Sequence, residues 1–174
     1  RHSQAGDQAC QDHEGAPMSA PFFDQAMALR WMRGNASAVD FLRTAFDVAH
    51  FWDDLVDRDR ILSDADINRA MFQALVVLPR NAFYQANFAS LNAVLANAAT
   101  NWTIATDLER AGGVAGKRTA YVLRASYVDL VTHCALLLGG MDWARAVGVE
   151  LRQLAEPYPE YLTNLEAEKA ARGD

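Results

Sequence analysis

The feature that most narrows what this chain can fold into is the run from Ser37 to Asp57. It holds neither proline nor glycine and repeats its apolar residues at helical spacing. At 100° per residue, Phe41, Ala45, Val48, Ala49, Trp52, Leu55 and Val56 share one broad arc, and Asp47, His50, Asp53, Asp54 and Asp57 share the remaining sector. Ser37 with Asp40 three residues on makes a capping-box-like start. Val39 and Phe46 carry apolar character into the acidic sector, which predicts that another helix covers part of it.

The rest of the chain follows the same grammar. Phe22, Met27, Leu29, Trp31 and Met32 give a first helix from Pro21 to Arg33, stopped by Gly34. Ser63 and Asp66 form a second capping box, leading Ile67, Met71, Ala74, Leu75 and Leu78 to a stop at Pro79. Asn81 opens a segment in which Leu91, Val94, Leu95, Ala98, Trp102, Ala105 and Leu108 trace one face up to Gly112-Gly113. A strongly apolar helix spans Lys117 to Leu138 and ends at Gly139-Gly140. Asp142 caps another to Ala155, and a short amphipathic tail follows Pro157 and Pro159. Period-two alternation is absent throughout. The prediction is an all-α fold, an irregular bundle of about six helices without a sheet, in a single domain over 18–174. Residues 1–17 hold almost nothing a core can use and read as a polar leader or an appended remnant ahead of Met18.

Composition excludes several classes. The net charge of −6 supplies no basic excess for nucleic acid or an anionic membrane, so nucleic acid is not an expected partner. Cys10 in the leader and Cys134 in an apolar run give neither a disulfide framework nor a metal knuckle. No apolar run reaches the roughly 18 residues of a membrane span, and no signal-peptide core is present, so the expected address is cytoplasmic. Gly112 to Arg118 imitates a phosphate loop poorly, because Ala111 replaces the first glycine, Arg118 replaces the magnesium-binding hydroxyl and a helix precedes it. Lys117 and Arg118 near a helix start remain candidate phosphate contacts.

Candidate chemistry concentrates in the acidic stripe. Asp53 and Asp57 are like charges at i,i+4 near a helix C-terminus, where the carbonyl dipoles already repel anions. Asp129 and His133, one turn apart inside the apolar 117–138 helix, form a second unusual pair, and an ionised carboxylate there calls for a partner. One divalent cation would answer both demands. Magnesium takes carboxylate oxygens while keeping waters for substrate phosphates, with Asp53, Asp54, Asp57 and Asp129 as ligands and His50, His133 and Glu109 in supporting positions. Glu109 reads either as a helix-end residue reaching solvent or as an inward ligand or ion-pair partner. The competing account of the stripe is a face salt-bridged to Arg43, Arg58, Arg60 or Arg124. Zinc, di-iron and nucleophile motifs are absent from the sequence.

Asp53-Asp54-Leu55-Val56-Asp57 resembles the first aspartate-rich motif of class I isoprenoid synthases, which implies a magnesium-held diphosphate over those five residues. The longer stretch from Phe51-Trp52-Asp53-Asp54 through Pro79-Arg80-Asn81 to Tyr127-Val128-Asp129-Leu130-Val131 looks like small uncharacterised proteins of tailed bacteriophages. That resemblance implies a phage gene product, in the host cytoplasm or the virion. Two functions follow as expectations: a magnesium-dependent enzyme acting on a diphosphate or nucleotide, or a non-catalytic helical interaction, structural or assembly protein. The apolar circumference of the two main helices, with Trp31, Trp102 and Trp143, further predicts self-association, with a C2 dimer as the commonest solution.

Overall fold

Short polar side chains take the orphan backbone donors where several helices begin. In the computed structural model, which describes residues 24–58 and 61–172, Asp24 accepts the Met27 N–H at 2.8 Å to open α1 (Gln25–Trp31). Asn35 accepts the Ala38 N–H at 3.0 Å to open α2 (Ala36–Asp57). Ser37, expected in that role, instead accepts the Phe83 N–H at 3.0 Å, tying α2 to α5 (Ala82–Ala86). The Ser63–Asp66 capping box is present at the start of α3 (Asp64–Phe72). The residues 1–17, Cys10, the Pro21–Phe22 start of the first helix and Arg60 lie outside the described residues.

Pro79 does not stop its helix. A π turn over Gln73–Val77 follows α3, and Leu78 N–H reaches back to the Gln73 carbonyl. Pro79 then sits near the start of the short α4 (Leu78–Arg80), a position where its missing N–H is tolerated, and the chain turns at Asn81. Asn81 caps α5 through the Tyr84 N–H at 3.0 Å, and α6 runs Phe88–Ala111.

The expected 117–138 helix is two. α7 (Val114–Arg124) ends at Ala125, and α8 (Ser126–Leu154) begins there, with the Ser126 hydroxyl donating to the Leu123 carbonyl at 2.6 Å. Gly140, at φ 76° and ψ −175°, folds α8 back on itself, in a conformation essentially reserved for glycine. Thr132 then packs against Gly148, and Asp129 meets Arg152. The stretch Val114–Leu154 is apolar enough by composition to cross a membrane. Here its two α8 arms form a hairpin, each arm giving residues to the core.

Helices with no strand among the described residues make this an all-α irregular bundle. Its core joins Trp31 and Met32 to Val39 and Phe41 of α2, Leu91 of α6, and Val128, Val131, Val147 and Leu151 from both arms of α8. Each such side chain contributes about 1.5–3 kcal/mol on burial. Trp31 and Trp143, expected to seek a partner chain, are used internally, Trp143 Nε1 donating to the Trp31 carbonyl at 2.8 Å. α9 (Tyr158–Arg172) closes the chain, with Tyr161 and Leu165 buried.

The apolar arc of α2 faces the core only in its first half. Further along, Leu55 is 47% exposed while Asp57 is 6% exposed. At this end of the helix Asp57 is the inward residue, and the reason lies on α6 and α7.

Candidate functional site

Arg124, at the last residue of α7, reaches into the sector where α2 and α6 come together. Its Nε donates to Glu109 Oε1 at 3.0 Å and its Nη2 to Glu109 Oε2 at 2.5 Å, a bidentate pair, while Nη1 donates to Asp53 Oδ1 at 3.0 Å. Asp57 Oδ2 lies 3.9 Å from Nη2, and Thr106 Oγ1 3.3 Å from it. The guanidinium carbon stands 4.7 Å from the Trp102 ring, a cation–π contact. Trp102 in turn donates Nε1–H to Asp53 Oδ1 at 2.9 Å and packs on Trp52, ring centroids 4.4 Å apart. Tyr161 of α9 donates its hydroxyl to Glu109 Oε1 at 2.5 Å.

α6 builds much of this by spacing alone. Trp102, Thr106 and Glu109 recur at i, i+4 and i+7 and present one face. Glu109, for which a solvent-reaching position was one expectation, is 4% exposed and takes the inward ion-pair role. Of the described arginines proposed as salt-bridge partners, Arg43, Arg58 and Arg124, it is Arg124 that engages Asp53 and Asp57. Arg110 adds a longer contact to Asp57 at 4.0 Å.

The electrostatics follow from crowding. Burial works against the charge on Arg124, yet the hydrogen bonds and charge of Glu109, with Asp53 and Asp57 beyond, outweigh it and raise its pKa above the ordinary value. The Tyr161 phenol is pushed up by burial and by the Glu109 carboxylate it serves. Glu168, on the same face of α9 as Tyr161 and Leu165, is raised to about 7, first by burial and then by the charges of Asp57 and Asp53.

The remaining candidates lie elsewhere. Asp129 is in the first turn of α8, about half exposed, and pairs with Arg152 at 2.8 Å. Its expected depth inside a continuous apolar helix is corrected by the break at Ala125, and the first-turn position is one the helix dipole favours. His133 is bonded to Ser90, and exposed His50 packs at a tilt against Phe46 and approaches its carbonyl oxygen at 3.2 Å. Asp54 is half-buried. Lys117 pairs with Glu166 at 2.5 Å, and Arg118 is exposed. Both sit two turns before Arg124, about 10 Å along α7. Sequence reasoning misses Tyr161, Trp102 and Glu168 as members of the cluster. The alignment of Trp102 with Glu109 is the signal that points to one of them.

Chemically the arrangement is a carboxylate cluster organised by a guanidinium. Both Glu109 oxygens and Oδ1 of Asp53 already accept from protein donors. Among the described residues no group of three or more His, Cys, Asp or Glu side chains is placed to hold a metal ion. The donor set therefore fits a structural ion pair better than a magnesium site. Compared with protein-family models, curated proteins and solved structures, the chain matches none.

Proposed function

We propose that this chain is a non-catalytic helical module that works by binding protein, in a structural or assembly role of the kind its resemblance to phage proteins implies. The observation that carries the reading is the position of Arg124. The positive charge demanded by Asp53, Asp57 and Glu109 comes from inside the fold, and it locks α2, α6 and α7 together. With Asp129 engaged by Arg152, the residues expected to converge on one cation serve two separate contacts.

The alternative, a magnesium-dependent enzyme acting on a diphosphate or nucleotide, is favoured by one fact: Asp53, Asp57 and Glu109 do converge from two helices. Thermal melts with and without millimolar magnesium or manganese separate the two. A metal at 100 times its dissociation constant stabilises a fold by about 2.7 kcal/mol, which is about 5–11 °C for a domain of this size. The module reading expects no shift. A metal-induced rise in the native protein that Asp53→Asn abolishes would overturn it.

A further inference from the structure

The groove between α2 and the α3–π–α4 segment is lined by Asp40, Arg43 and Asp47 on one wall and Phe72, Val77 and Arg80 on the other. Its volume is about 530 Å³ and all six residues are exposed. Phe72 and Val77 are 58% and 40% exposed, and outside the groove lining the same segment also exposes Met71 and Leu75, at 48% and 68%. The π turn accounts for this spread. Its extra residue shifts the helix register, so Leu75 and Val77 within it do not continue the stripe of Met71 and Phe72 before it.

The charges of the groove are paired in kind but not joined. Asp40 on α2 and Arg80 on α4 make no side-chain hydrogen bond or ion pair among the described residues. Asp47 accepts a long 3.5 Å bond from Gln73, and Arg43 donates to Gln25. The chain as a whole carries −6, which opposes random self-association. This face instead presents two acids and two bases around an apolar centre. With acids and bases on one face, each can meet its opposite on a second copy, and in a two-fold contact every such pair is made twice.

We propose that this groove is the contact surface for a second copy of the chain, with the Phe72 and Val77 side chains packed at the centre and Arg80 of each copy facing Asp40 of the other. The inference deepens the reading of the chain as a protein-binding module and rests on it.

The test is mass by light scattering or sedimentation at tens of micromolar. Native protein is expected at twice the chain mass of 19.2 kDa. Arg80→Glu and Asp40→Arg each place like charges across both reciprocal contacts and are expected to weaken association at least about a hundredfold, giving monomer. An equimolar mixture of the two variants restores both contacts and is expected to return to dimer. Phe72→Glu, which touches the apolar centre alone, is expected to give monomer. Both charged positions are exposed and, among the described residues, unpaired, so each variant is expected to keep the native helical circular dichroism. A native mass of 19.2 kDa would overturn the proposal, as would charge variants that remain dimeric or a mixture that stays monomeric. These outcomes are independent of the metal melts, so a failed dimer and a failed module reading are distinguishable.

Discussion

Arg124→Gln tests the cluster most directly. The substitution keeps some length and one amide but removes the charge shared by Glu109, Asp53 and Asp57. The pair with Asp53 contributes little, because that carboxylate is 45% exposed and solvent screens it to at most about 1 kcal/mol. The pair with Glu109 dominates. Its carboxylate side chain is 6% exposed and loses two hydrogen bonds, keeping that from Tyr161. Removing one partner of such a buried pair costs about 3–5 kcal/mol, and the glutamine amide argues for the lower end, about 3 kcal/mol. At about 2–4 °C per kcal/mol for a chain of this size, the Tm is expected to fall by about 6–12 °C. Circular dichroism melts at pH 7 measure it. The same substitution made on a Glu109→Gln background is expected to cost clearly less, since the buried charge it strands is gone. A fall of less than about 2 °C, or single effects that add to within about 0.5 kcal/mol, would refute the coupling argued here.

Other consequences can be checked in the same assay. Tyr161→Phe removes a hydrogen bond to a buried carboxylate and is expected to destabilise by about 1.5–3 kcal/mol, with the loosened α9 visible as faster amide exchange in residues 158–172. Gly140→Ala meets no steric neighbour, but the left-handed φ alone is expected to cost about 1–3 kcal/mol, read as a lower Tm. Asp129→Asn touches a pair exposed on both sides and is expected to change stability by less than about 1 kcal/mol; a larger loss would mean the pair with Arg152 misdescribes it. Glu168 sets a pH dependence, because an acid raised to about 7 in the fold binds protons there that the unfolded chain has already released above its ordinary 4.5. Stability is therefore expected to be fullest below pH 4.5 on this account and to fall as pH rises through 7, and Glu168→Gln is expected to flatten that slope in Tm against pH.

What the sequence makes legible is what short-range chemistry decides. The capping box at Ser63 and Asp66 and the break at Gly140 are each fixed by residues within a few positions, and both stand in the structure. The division at Ala125 has no such marker. No glycine or proline stands there, and the Ser126 hydroxyl bonding back to Leu123 is one of many local options a serine has. That single unseen break moves Asp129 from an expensive interior position to a helix first turn, and with it goes the reason to expect a cation beside His133. The demand of the acidic stripe for positive charge is readable, since like charges at i,i+4 near a helix C-terminus repel whatever the tertiary fold. Its answer is not, because Arg124 lies 71 residues from Asp53 and competes on paper with nearer arginines. A metal ion and a guanidinium satisfy the same Coulombic demand. They differ in geometry: a hard cation needs carboxylate oxygens left open toward one point, whereas Glu109 turns both of its oxygens to Arg124 and shares one with Tyr161. That distinction depends on where three helices and the tail of the chain meet. Glu109 in register with Trp102 is the one local hint that α6 brings a carboxylate to the meeting point.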